Sequence, residues 1–124
     1  MTAAVPVLIV DDQAAFRSAA RTVVALASGF EVVDEADSGE LAVEKAAGLH
    51  DGLVLMDINL GGITGIEATR RITEGRDDLV VVLMSTYTAD DLPQDAGECG
   101  AATYVHKEDL APDVLVHAWE QHTA

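Results

Sequence analysis

The sequence predicts an α/β fold in which helices cover both faces of a five-stranded parallel sheet. Short apolar runs rich in β-branched residues alternate with longer amphipathic segments along the chain, and this alternation is typical of βα units. The runs at 7–10 and 53–56 are continuously apolar. Such runs are typical of strands that are buried on both faces of a parallel sheet.

The strand candidates are the apolar runs themselves, each rich in β-branched or aromatic residues. They lie at 5–10, 30–34, 53–56, 79–84 and 103–105. Right-handed connections between parallel strands place helices on both faces of the sheet. We therefore expect a doubly wound sheet with the order 2-1-3-4-5, which is the flavodoxin-like order.

The helix candidates lie between and after these strands. They span about 14–27, 38–48, 64–74, 88–98 and 110–121. Ser38 is placed to be the N-cap of the second helix, and Thr88 with Asp91 resembles a capping box for the fourth. Glycines at 29, 75 and 100 stand where helices are expected to stop.

Composition limits the class of protein. At 124 residues the chain is most simply one domain, spanning 1–124. Lys and Arg number 7 against 22 Asp and Glu, giving a formal net charge of -15, which argues against direct binding to nucleic acid. The single cysteine, Cys99, excludes an internal disulfide, so a cytoplasmic location is expected. No signal peptide or membrane-spanning run is visible.

Aspartates directly follow the first and the third strand candidates. Asp11 and Asp12 follow the first, and Asp57 follows the third. Strands 1 and 3 are neighbours in the expected order, and ligands bind at the carboxyl ends of such strands, so these three acids should converge. Oxygen ligands with room for water suit Mg²⁺ better than Zn²⁺. Taken alone, the Asp11-Asp12 pair could instead be an ordinary helix N-cap.

Two further strand ends supply groups that suit phosphate chemistry. Strand 4 leads into the hydroxyls of Ser85 and Thr86. Strand 5 is followed by Lys107, a compact cation that suits phosphate oxygens. This set favours attack by one carboxylate on a phosphoryl group, while Mg²⁺ and Lys107 neutralise the phosphoryl oxygens.

Five separated motifs follow one another along essentially the whole chain. They are VDD at 10–12, LMDIN at 55–59, GIEATRRI at 65–72, LMS at 83–85 and GAATYVHK at 100–107. Together they resemble the receiver domain of two-component response regulators. The resemblance implies that Asp57 accepts a phosphoryl group from a sensor histidine kinase or a phosphotransfer protein, with Lys107 and Ser85 as the other catalytic groups. It further implies that Mg²⁺ is held by Asp11, Asp12, Asp57 and the backbone carbonyl of Asn59.

The resemblance also implies how such a domain would switch and signal. Ser85 and Tyr104 would be the switch residues, and Asn59, Thr86 and Tyr87 would tune the lifetime of the phosphoryl group. The chain would be a phosphoacceptor that catalyses only its own phosphotransfer and dephosphorylation. Its output would be a downstream protein or a second copy, bound through the fourth helix, fifth strand and fifth helix.

Some residues lie on surfaces that the resemblance links to partners, and some depart from the family pattern. Trp119 is the better candidate for the output surface, whereas Leu115 and Ala118 should be core. Phe16 lies where kinases commonly dock, or it is buried. The four histidines are interpreted as surface or packing residues. The departures include Gly61-Gly62 in the loop after strand 3, where the family usually carries a proline, and this should make that loop more mobile.

Alternatives to a stand-alone, phosphorylated receiver are a receiver cut from a longer DNA-binding regulator and a phosphorylation-independent interaction module. The stretch at 65–72 resembles receivers that precede helix-turn-helix domains, and it favours the first alternative. The interaction module predicts broken site residues, but all of them are present. A haloacid-dehalogenase-like phosphatase is disfavoured, because Asn59 stands where that family needs a second aspartate.

Overall fold

The computed structural model describes residues 4–86 and 94–123, and its five strands form one parallel sheet. The strands are β1 (Val5–Val10), β2 (Phe30–Ala36), β3 (Gly52–Asp57), β4 (Leu79–Ser85) and β5 (Thr103–His106). Their order is β2-β1-β3-β4-β5, and every pair is parallel. The predicted fold class and strand order are therefore confirmed.

Four α-helices surround this sheet in the described ranges. They are α1 (Ala14–Leu26), α2 (Gly39–Ala46), α3 (Gly65–Thr73) and α4 (Pro112–Thr123). None of them has the length and apolar character that crossing a membrane requires. The helix predicted at 110–121 corresponds to α4.

The helix predicted at 88–98 is wrong over the part that can be compared. Residues 94–97 form a short 3₁₀ turn, and a glycine at 97 disfavours its continuation as an α-helix. Residues 87–93, with Tyr87 and the Thr88–Asp91 capping box, lie outside the described residues.

Apolar side chains on the two faces of the sheet fix the positions of the strand ends. β3 and β4 are buried at every position. Alternate residues of a strand point to opposite faces, so Val54 and Met56 pack in the cluster that includes α2 and α3 residues. Leu53 and Leu55 pack in the cluster that includes α1 and α4 residues. Each fully buried Leu contributes about 2 kcal/mol of transfer free energy, and this burial holds the carboxyl ends of β1 and β3 side by side.

Capping contacts settle how two of the helices start. The Ser38 hydroxyl accepts a hydrogen bond from the Leu41 amide at 3.1 Å, which confirms the predicted N-cap of α2. At α1 the N-cap residue is Gln13, and it makes no side-chain cap hydrogen bond. Asp11 Oδ1 accepts from the backbone N–H of Gln13 itself at 2.8 Å. The Asp11-Asp12 pair therefore does not serve as the ordinary N-cap of α1.

Candidate functional site

Three carboxylates converge at the carboxyl edge of the sheet, as predicted. The register pairs Val10 of β1 with Met56 of β3, which places the next residues, Asp11 and Asp57, beside each other. Both are buried, at 0% and 3% exposure, whereas Asp12 is exposed. Each of the three offers a carboxylate oxygen within 4.8 Å of the others. Among the described residues, these carboxylates form the cluster that could hold a metal ion.

Lys107 supplies a positive charge inside this cluster. Its Nζ donates to Asp11 Oδ2 at 2.6 Å and lies 3.4 Å from Asp57 Oδ2. The ammonium group also lies over the ring of Phe16, 4.4 Å from the centroid, which is within range of a cation–π interaction. Two carboxylates and one aromatic face therefore fix the ammonium group, and the lysine side chain is only 13% exposed.

The environment of Asp57 raises its pKa to about 6. Burial is the largest cause, because it disfavours the charged form, and the negative charge of Asp11 adds to it. Lys107 and a hydrogen bond from the Asn59 amide, at 3.3 Å, oppose the rise. Asp57 therefore sits where a further cation would stabilise its carboxylate.

The other predicted site residues lie at or near the same edge. Ser85 ends β4 and is fully buried, and the strand register places it one residue beyond the Asp57–Met84 pair. Thr86 follows it and is exposed, and Tyr104 of β5 is half-buried and packs against the core. Tyr87 cannot be placed, because it lies outside the described residues.

Comparison with known proteins identifies the family. Residues 7–120 match the model of the response regulator receiver domain. The chain belongs to the response regulator receiver family. Phosphorylation of an aspartate is typical of this family, whose members are signalling domains.

Several known proteins resemble this receiver closely enough for comparison. The response regulator GacA of Pseudomonas viridiflava is 39% identical over 101 residues, covering 82% of this chain and 47% of the relative. A LuxR-family two-component response regulator from Aurantimonas sp. SI85-9A1 superposes with a TM-score of 0.81 at 30% identity, covering 96% of this chain and 84% of that chain. The CheX-CheY-BeF3-Mg²⁺ complex of Borrelia burgdorferi gives 0.77 at 27%, covering 97% and 90%. The chain spans about half the length of the curated relatives that it matches.

The loop after β3 of this receiver is held by a contact that the sequence did not indicate. Glu40, in the first turn of α2, accepts a hydrogen bond from the Ile63 amide at 3.1 Å. Gly65, at the start of α3, donates its N–H to the Ile58 carbonyl at 2.9 Å. The greater mobility expected from Gly61-Gly62 stays a prediction, but one anchor of this loop is now identified.

Three residues near the receiver site make contacts that the sequence did not indicate. Arg17 Nη1 donates to the backbone carbonyl of Asp11 at 2.7 Å. Phe16 is half-buried and packs against the core, and its contact with the ammonium group of Lys107 was not predicted. His106, predicted to be a surface or packing residue, is half-buried, and both of its ring nitrogens lie within hydrogen-bonding distance of backbone groups.

On α4, burial separates core residues from the predicted output surface. Leu115 and Ala118 are buried, which confirms their assignment to the core. Trp119 is half-buried and packs against the same core cluster. It is therefore a partly buried residue and not a fully exposed anchor.

Proposed function

We propose that this receiver is a phosphoacceptor in which Asp57 takes a phosphoryl group from a sensor histidine kinase or a phosphotransfer protein. The observation that carries the proposal is the position of Asp57. It is buried at the carboxyl end of β3, within 4.8 Å of two further carboxylates and 3.4 Å from the ammonium group of Lys107. We propose that residues 1–124 work as this one receiver domain.

The donor set at this edge fits Mg²⁺. Asp11, Asp12, Asp57 and the backbone carbonyl of Asn59 would hold the ion, and all four offer hard oxygen ligands. The exposed Asp12 leaves that side open to water, which Mg²⁺ usually retains. A similar receiver structure is described as a complex with BeF3 and Mg²⁺. When bound, the ion supplies positive charge that neutralises phosphoryl oxygens.

The proposed reaction is a displacement at phosphorus. A carboxylate oxygen of Asp57 forms a bond to phosphorus, and the P–N bond of the donor phosphohistidine breaks. The electron pair of that bond leaves with the imidazole nitrogen, which takes up a proton. Lys107 and Ser85 would bind phosphoryl oxygens. Water attacking the acyl phosphate would return the Asp57 carboxylate, so the domain catalyses only its own phosphotransfer and dephosphorylation.

We propose that formation of the acyl phosphate changes the partner-binding surface at β5 and α4. Ser85 and Tyr104 would be the switch residues, and Asn59, Thr86 and Tyr87 would tune the phosphoryl lifetime. The surface of β5 and α4, to which the segment predicted at 88–98 would contribute, would bind a downstream protein or a second copy. The net charge of -15 disfavours direct contact of this domain with nucleic acid. A kinase as phosphodonor implies a cytoplasmic location.

Intact-mass spectrometry after incubation with acetyl phosphate tests this proposal. The wild type should gain one phosphoryl group in the presence of Mg²⁺, and Asp57→Ala should gain none. Asp37→Asn is a matched control, because Asp37 follows β2 at the same sheet edge but lies outside the carboxylate cluster. It should be phosphorylated like the wild type. A folded wild type that gains no phosphoryl group would overturn the proposal.

A further inference from the structure

The side chain of His106 connects two loops at the site edge. The backbone N–H of Glu108 donates to His106 Nδ1 at 3.1 Å, and His106 Nε2 lies 3.0 Å from the carbonyl oxygen of Thr86. A ring nitrogen that accepts a hydrogen bond carries no proton. The ring is therefore the neutral tautomer with hydrogen on Nε2, which donates to Thr86. We call these two hydrogen bonds the His106 bridge.

The His106 bridge ends on the backbone next to two proposed catalytic groups. Thr86 directly follows Ser85, and Glu108 directly follows Lys107. His106 is also the N-cap of the 3₁₀ turn Lys107–Asp109, so its bond to Glu108 orients the turn from which Lys107 starts. The sheet register pairs His106 with Ser85. The side-chain bridge thus extends the contact between β4 and β5 past the last paired residues.

We propose that His106 is a positioning residue for phosphotransfer, which fixes the turn carrying Lys107 relative to the end of β4 carrying Ser85. The inference rests on the proposed function, because it assigns those two residues to the phosphoryl group. Without the ring, the Thr86 carbonyl and the Glu108 amide would bond to water, and the two segments would move separately. Displacements of about 1 Å at a reacting centre can cost up to about 100-fold in rate.

Three substitutions separate the two halves of the bridge. His106→Val removes both hydrogen bonds while keeping a residue that favours a strand. His106→Asn keeps an acceptor oxygen near the Glu108 amide but is too short for Thr86. His106→Gln keeps a donor that can reach Thr86. We expect His106→Val to slow phosphoryl acceptance from acetyl phosphate by about tenfold. The rates of His106→Asn and His106→Gln should lie between those of His106→Val and the wild type.

His122 offers a matched control. Its Nε2 also lies near a backbone carbonyl, that of Ala102, at 3.2 Å, but Ala102 precedes β5 at the opposite edge of the sheet from Asp57. We expect His122→Val to accept the phosphoryl group at the wild-type rate. The melting temperatures of all variants show whether a slower rate reflects unfolding.

A second measurement keeps this inference separate from the proposed function. Hydrogen exchange of the Glu108 amide, followed by NMR without a phosphodonor, should be about fivefold faster in His106→Val and unchanged in His106→Asn and His122→Val. If this pattern appears and the wild type takes no phosphoryl group, the proposed function fails and so does the positioning role. A wild-type rate of phosphorylation in folded His106→Val overturns the positioning role alone. Partial recovery of the rate in the Asn and Gln variants supports it.

Discussion

Lys107 lies closer to Asp11 than to Asp57. Its Nζ is 2.6 Å from Asp11 Oδ2 and 3.4 Å from Asp57 Oδ2. The stronger contact therefore compensates the charge of Asp11, while burial and the charge of Asp11 raise the pKa of Asp57 to about 6. In the metal-free protein, Lys107 therefore compensates the charge of Asp57 less fully than that of Asp11, and Asp57 is the residue proposed to react.

The free energy of unfolding of the metal-free protein should fall as Asp57 ionises. The reference pKa of its carboxyl is 3.8, and the folded protein raises it to about 6. Between these values the folded state holds a proton that the unfolded state has lost, so stability decreases as the pH rises. The loss from this group is up to about 3 kcal/mol between about pH 4 and pH 7. Urea unfolding without Mg²⁺ should show it in the wild type, and Asp57→Asn should lack it.

Another carboxylate has the opposite effect on stability, but at lower pH. Arg76 donates to Asp78 and lowers the pKa of that carboxyl to about 2. The stability that this pair contributes is present above about pH 4 and is lost as the pH falls through about 2. This range lies below the pH range in which Asp57 ionises.

Asp37→Asn is a control for the Asp57 prediction, and its free energy of unfolding should keep the wild-type slope between pH 4 and 7. The same slope in Asp57→Asn would show that a different group is responsible.

Mg²⁺ should raise the melting temperature, and Asp12→Asn should weaken that effect. Asp12 is the exposed member of the carboxylate cluster, so its removal relieves repulsion by less than about 1 kcal/mol and slightly stabilises the metal-free protein. At a Mg²⁺ concentration of about ten times Kd, binding stabilises the wild type by about 1.4 kcal/mol. Thermal melts across a Mg²⁺ titration measure both effects. Melting temperatures that do not change with Mg²⁺ in either protein would count against a metal site.

Phe16→Leu should slow phosphoryl acceptance, because the ring of Phe16 holds the ammonium group of Lys107. A cation–π contact of about 1 kcal/mol corresponds to about fivefold in rate. Phe16→Tyr keeps an aromatic face and should stay near the wild type. Phe30→Leu is the matched control, since Phe30 begins β2 and packs in the core. Fluorinated phenylalanines at position 16 should slow the reaction progressively, and equal rates along that series would exclude the ring's charge distribution as the cause.

The strands and the carboxylate cluster could be predicted because apolar runs in the sequence indicate the strands and the positions where the strands end. β3 and β4 read as continuous apolar runs and are buried throughout, and β2 is an edge strand that was predicted two residues too short. Once the order of the sheet is known, the residues after β1 and β3 must be neighbours. The sequence alone was therefore enough to predict that Asp11 and Asp57 lie close together.

The contacts that orient Lys107 could not be predicted in the same way. Lys107 is separated from Asp11 by 96 positions, and no periodicity shows that its ammonium group also lies over Phe16. The two bonds of His106 depend on where the carbonyl of Thr86 and the amide of Glu108 point, which is set by tertiary structure. A pattern of side-chain types along the chain carries no information about these backbone directions.

Gly65→Ala should lower both the stability of the fold and the rate of phosphorylation, whereas Gly61→Ala should lower neither. A Cβ at position 65 would fall inside the contact distance of the Asp57 carbonyl oxygen and 2.9 Å from Ile58 Cα. These are backbone atoms, so either α3 or the end of β3 must shift. We expect a loss of about 2–4 kcal/mol in the free energy of unfolding, together with slower phosphorylation.

At Gly61, by contrast, a Cβ would meet nothing within 4 Å, and its φ is outside the left-handed region. Gly61→Ala should therefore be neutral or slightly stabilising, because alanine restricts the unfolded chain. Urea unfolding and the rate of phosphoryl addition, measured on both variants, compare two glycines of the same β3–α3 connection. Wild-type stability in Gly65→Ala would mean that α3 can move away from Asp57 at little cost, and the close packing of α3 against β3 would then not be what fixes the position of Asp57.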